Sequence, residues 1–116
     1  LLENSYGAYL KNHDKDNLRV IGVMSNLAKA YSEKGDYEKA LEYAKYAYDK
    51  RIEKLSNKNI NTLTTAKILG EIYLRSGEIE KGKVFLEDTL KVAKETKISN
   101  KNSIVKEIEE LLRNNM

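Results

Sequence analysis

The chain repeats itself. Displaced by 42 residues, Leu27 falls on Leu69, Ala28 on Gly70, Tyr31 on Tyr73, Gly35 on Gly77 and Ala40 on Gly82, while Tyr37 meets Ile79 and Tyr48 meets Leu90. A period of this size marks a stacked array, in which each unit is one supersecondary element that cannot bury its apolar side alone. The small residues matched at Ala28/Gly70 and Ala40/Gly82 mark places where two elements approach too closely for a larger side chain. Tyr31 and Tyr73 are the large residues that fill the space beside them.

The repeating element is helical. Proline is absent, and apolar residues recur at three- and four-residue steps with no sustained alternation. Ile21, Met24, Leu27, Ala28 and Tyr31 make one stripe; Tyr37, Ala40, Leu41, Ala44, Ala47 and Tyr48 make a second, continued by Ile52 and Leu55. Leu63, Ala66, Leu69, Gly70 and Tyr73 make a third, Ile79, Val84, Phe85, Leu90 and Ala93 a fourth, and Ile104, Ile108, Leu111 and Leu112 a fifth. Between stripes, "KGD" at Lys34–Asp36 and "SGE" at Ser76–Glu78 are short links, each with a glycine able to close a helix in the left-handed conformation. The links from Lys11, Ser56 and Ile98 are longer and rich in Asn, Ser and Asp, the residues that cap a following helix. Short and long links alternate, so the chain reads as stacked helix pairs.

The predicted fold class is all-α, an α-α superhelix of stacked helix pairs. Residues 1–14 read as the end of a second helix of a preceding unit whose partner lies upstream, since Tyr6 matches Tyr48 and Leu10 matches Ile52. Residues 18–55 and 60–97 are the two full units, and 102–116 a C-terminal capping helix. A one-residue insertion is needed to align "ISNKNS" with "LSNKNI" at the start of this last helix. A chain that opens on Leu1 without Met is expected to be a fragment of a longer protein.

These residues resemble the tetratricopeptide repeat family. Its pattern of Leu, a small residue, Tyr, Gly, Tyr and Ala is matched by Leu27, Ala28, Tyr31, Gly35, Tyr37 and Ala40, and in the second copy by Leu69, Gly70, Tyr73 and Gly77. The spacing looks like the long version found in kinesin light chains and many bacterial proteins, whereas the usual unit is about 34 residues. The missing proline, Gly82 for Ala and Ile79 for an aromatic are departures.

The resemblance implies a right-handed α-α superhelix, a scaffold that binds a protein or peptide segment in a concave groove lined by the first helices. It implies Ser25, Asn26, Lys29, Ser32 and Glu33 as groove-facing residues of the first unit, and Lys67, Ile68, Glu71, Leu74 and Arg75 of the second. An amide at Asn26 can pair with both N–H and C=O of a bound backbone. Lys29, Lys67 and Arg75 are only partly similar to a carboxylate-holding patch, and Glu71, one turn from Lys67 and from Arg75, offers local ion pairing instead. Such domains also form the sensor half of bacterial cytoplasmic regulators. The alternative is a structural spacer or self-association module, a homo-oligomer contact through Tyr43 and Tyr46 on the outward second helix.

Composition excludes most other classes. The net charge is +3 with the signs interleaved, and there are seventeen Lys but only four Arg, so no nucleic-acid surface is expected. Without cysteine there is no disulfide or thiol chemistry, which fits a cytoplasmic location. No apolar run is long enough to span a membrane. The one histidine, His13, sits in a polar stretch beside Asp14 and Asp16 with no nucleophile, so neither enzyme activity, metal nor cofactor is expected.

Overall fold

The computed structural model describes residues 18–56, 58–96 and 101–114. The helix expected at 1–14, with Tyr6 and Leu10, and the stretch around His13 lie outside the described residues. Five helices are present among those described: α1 (Leu18–Lys34), α2 (Tyr37–Leu55), α3 (Ile60–Arg75), α4 (Ile79–Glu95) and α5 (Lys101–Asn114). They form an all-α superhelical stack, each helix packed on its neighbours.

The two short links are built alike. Gly35 and Gly77 take φ of +88° and +95°, where a side chain would be strained. The amide of Asp36 then donates to the Tyr31 carbonyl at 2.9 Å, and that of Glu78 to the Tyr73 carbonyl at 3.0 Å, closing each first helix. Asp36 caps α2 by accepting from the Lys39 amide at 3.3 Å. Asn59 caps α3 by accepting from the Asn61 amide at 2.9 Å.

Within each pair the helices cross at the matched small residues. Ala28 and Ala40 are fully buried where α1 meets α2. At the α3–α4 crossing, a Cβ on Gly70 would lie 2.4 Å from Leu86 Cδ2, and one on Gly82 would lie 3.2 Å from the Gly70 carbonyl oxygen. The core is nearly continuous. Leu27, Tyr31, Ala44, Leu69, Ile72 and Tyr73 join α1, α2 and α3. Leu63, Leu74, Leu86, Ala93, Ile104 and Ile108 join α3, α4 and α5.

Leu74, expected in the groove, is a core residue with 6% exposure. Val84, expected in the apolar stripe of α4, is instead 57% exposed. The reason is Leu86, which is fully buried and defines the inner face; two residues earlier the side chain points about 200° around the helix. Ile52, at 37% exposure, likewise stands outside the stripe assigned to it.

Helix α5 sits in register with the first helices, without the insertion expected from the loop text. Ser25 of α1 meets Thr65 of α3, and Lys67 of α3 meets Glu107 of α5. Each member of the second pair is 42 residues beyond its counterpart in the first, so the same inter-unit contact recurs with different chemistry. In that register Leu112 stands where Ala28 and Gly70 admit their second helices.

Candidate functional site

Between α1 and α3 lies a shallow cleft of about 30 Å³. Lys29, Ser32 and Glu33 line it from α1, and Ile68, Glu71, Ile72 and Arg75 from α3. Six of the residues predicted from the sequence as groove contacts, Lys29, Ser32, Glu33, Ile68, Glu71 and Arg75, are thus brought together. The volume has room for one or two waters and is well below the several hundred Å³ of a metabolite pocket.

The predicted residues divide by what the neighbouring helix does to them. Asn26 and Lys29 are exposed and available. Among the described residues Lys29 has no carboxylate within ion-pair distance. Ser32 is 5% exposed and forms the cleft floor. Ser25 is not presented at all: it is 5% exposed, with its hydroxyl 3.5 Å from Thr65 Oγ1, because α1 and α3 close over it. Arg75 pairs with Glu71 at 3.1 Å, the local pairing the spacing allows. Lys67 pairs with Glu107 of α5, not with Glu71. Of the three basic groups that resembled a patch, two are therefore neutralised and Lys29 alone keeps its charge open.

Beneath this seam lies a polar cluster that sequence reading missed. Arg51 of α2 reaches into it, and its Nη1 donates to the Asn61 carbonyl at 3.0 Å and to Thr65 Oγ1 at 2.7 Å. The Thr65 hydroxyl donates to the same carbonyl at 3.0 Å, so towards Ser25 it acts as acceptor. Thr62 Oγ1 donates back to the Arg51 carbonyl at 3.4 Å. Burial lowers the Arg51 pKa, and its Nε is covered with no hydrogen-bond partner. Three helices from two units meet at this one guanidinium. No spacing rule singles out Arg51, because its partners are a backbone carbonyl and hydroxyls with ordinary helical neighbours.

Tyr43 and Tyr46, the residues named for a self-association contact on α2, are half-buried and pack within the chain. Tyr43 stacks on Tyr31 with centroids 5.8 Å apart and planes 11° from parallel. Tyr46 packs with Tyr43 against Val20, Ile21, Met24 and Ala47, and the Lys50 ammonium lies 5.6 Å from its ring. Both rings turn inward because α1 is close enough to cover them.

No helix among the described residues is long and apolar enough to cross a membrane. Among the same residues no three His, Cys, Asp or Glu side chains converge as metal ligands would. Compared with known proteins, residues 19–95 match the profile of the tetratricopeptide repeat. No curated protein matches the chain.

Proposed function

The chain belongs to the tetratricopeptide repeat family, and from that premise we propose that it holds a peptide segment of a protein partner in the cleft between α1 and α3. Repeats of this family generally mediate protein–protein interaction. The observation that carries the reading is the convergence of Lys29 and Ser32 from one unit with Glu71 and Arg75 from the next on a single cleft. Asn26, exposed on α1, supplies an amide for the bound backbone, and Lys29 an open ammonium for an acidic group. The unit spacing of 42 residues supports the long-repeat variety of the family. With α5 as the closing helix, the described helices form the non-catalytic recognition part of a larger cytoplasmic, regulatory protein.

The test is selection of a displayed random-peptide library on the full chain, followed by calorimetry with the best peptide. Asn26→Ala and Lys29→Ala are each expected to weaken that peptide about tenfold, some 1.4 kcal/mol, and to leave the thermal midpoint unchanged, since both side chains are exposed. Wild-type affinity in both variants removes the cleft from the reading. A chain that selects no peptide and scatters light as a dimer is instead the self-association module.

A further inference from the structure

The face formed by the second helices carries a hollow that the groove reading does not use. It is open, about 420 Å³ in volume, and walled by Tyr73, Val84 and Phe85 with the charged groups of Glu80, Lys81 and Asp88 at its rim. Phe85 meets Tyr73 edge-on at 6.2 Å and Tyr48 of α2 at 5.2 Å, so the floor is a fixed aromatic surface. A second hollow of about 230 Å³ continues past Phe85 and Asp88 towards Tyr48 and Val92. Together they run along the seam between α2 and α4.

Comparison of the two units separates scaffold from specialisation here. In the first unit the Lys39 ammonium lies 5.3 Å from the Tyr31 ring and Tyr43 packs beside it. In the second the equivalent Lys81 lies 4.9 Å from Tyr73, with Phe85 in the place of Tyr43. Two departures bear on the hollow. Glu42, one turn beyond Lys39, is replaced by Val84, which exposes an apolar side chain one turn from Lys81, while an acid, Asp88, stands farther along where the first unit has Tyr46. A second ammonium, Lys45 of α2, comes to 5.7 Å from the same Tyr73 ring. Among the described residues neither Lys45 nor Lys81 has a carboxylate within ion-pair distance, and Glu80 is taken up by Lys83 at 3.9 Å. Asp88, the remaining acid, stands by Tyr48, whose phenol pKa is raised by burial first and then by Asp49 and Asp88.

We propose that this seam is a second docking site, for a partner-protein segment that places a bulky apolar side chain against Tyr73, Val84 and Phe85 and its flanking carboxylates on Lys45 and Lys81. An apolar anchor displaces water from the aromatic floor. A flanking carboxylate supplies the charge that the Glu42-to-Val84 exchange between units leaves out. A lysine-flanked anchor is disfavoured by the two ammoniums already there.

The experiment titrates acetylated, amidated pentapeptides into the ¹⁵N-labelled full chain and follows amide shifts. The probes are a phenylalanine flanked by two glutamates on each side, the same peptide with glutamines for the glutamates, and the same peptide with alanine for the phenylalanine. The first is expected to give saturable shifts at Val84, Phe85, Lys81 and Lys45, and each of the others to bind about tenfold more weakly. Val84→Glu, which restores the first unit's residue at an exposed position, is expected to cost about the same factor, with Lys29→Ala having no effect. The proposal fails if the glutamine peptide binds equally well, if no shift saturates, or if Val84→Glu leaves affinity unchanged. It also fails if the shifts gather at Lys29 and Arg75; that result would assign the peptide to the α1–α3 cleft, while failure of the cleft reading leaves this site standing.

Discussion

A methyl group added at Gly70 is expected to destabilise the chain by about 2 kcal/mol, whereas the same addition at Gly22 stabilises it by up to about 1 kcal/mol. Both glycines lie inside helices, so replacing either by alanine removes the same backbone entropy penalty and gains about 1 kcal/mol of helix propensity. What differs is the neighbour. At Gly22 the new Cβ would be 3.6 Å from Arg51 Nη2, an ordinary contact, and nothing opposes the gain. At Gly70 it would lie 2.4 Å from Leu86 Cδ2 and 2.5 Å from Leu86 Cγ, distances no structure keeps.

Leu86 cannot swing aside, because it is fully buried between α3, α4 and α5. The strain therefore moves backbone, which places the overpacking cost near the upper end of the usual range, about 3 kcal/mol. Urea unfolding followed by helical circular dichroism measures both variants. The cause is checked in a Leu86→Ala background, where Gly70→Ala should no longer destabilise. If Gly70→Ala unfolds at or above the wild-type midpoint, the close approach of α3 and α4 has been misjudged.

Arg51→Ala is the second large effect, an expected loss of about 2–3 kcal/mol. The guanidinium donates to the Asn61 carbonyl and to the fully buried Thr65 hydroxyl, and both lose a charged donor when it is removed. No carboxylate opposes Arg51 among the described residues, so the loss should be nearly the same at low and high salt. A surface ion pair behaves otherwise: the Lys67–Glu107 pair is exposed to screening, and its removal should cost under about 1 kcal/mol and depend on salt. Arg51→Met should fall between wild type and Arg51→Ala, because it keeps the volume and removes a desolvated, partly unsatisfied cation. Stability within about 0.5 kcal/mol of wild type for Arg51→Ala would mean that the inter-unit cluster contributes nothing.

The repeat made most of the scaffold legible in advance. Matching small residues at Ala28/Gly70 and Ala40/Gly82 located both helix crossings, and the glycines of "KGD" and "SGE" located both turns. Periodicity failed where it had to choose an edge. On α4 the helical period admits Val84 as readily as Leu86, since both belong to one short apolar run and only the approach of α3 selects between them. The cleft was legible as a set of positions on first helices. Which of those positions stay open was not, because Ser25 is covered by Thr65 of a helix 40 residues away and Lys67 is neutralised by Glu107 of another.

The amino-acid sequence by itself determined the class of fold, the units and their turns, because these follow from local rules: helical period, left-handed glycines and caps act within a few residues. The tertiary structure alone decided which side chains face an opening and which face another helix. It turned Tyr43 onto Tyr31, set Arg51 across the seam between helices and left Val84 exposed beside Tyr73 and Lys81. Each of these outcomes depends on the distance and rotation of a neighbouring helix, and no residue's own neighbourhood in the chain encodes that.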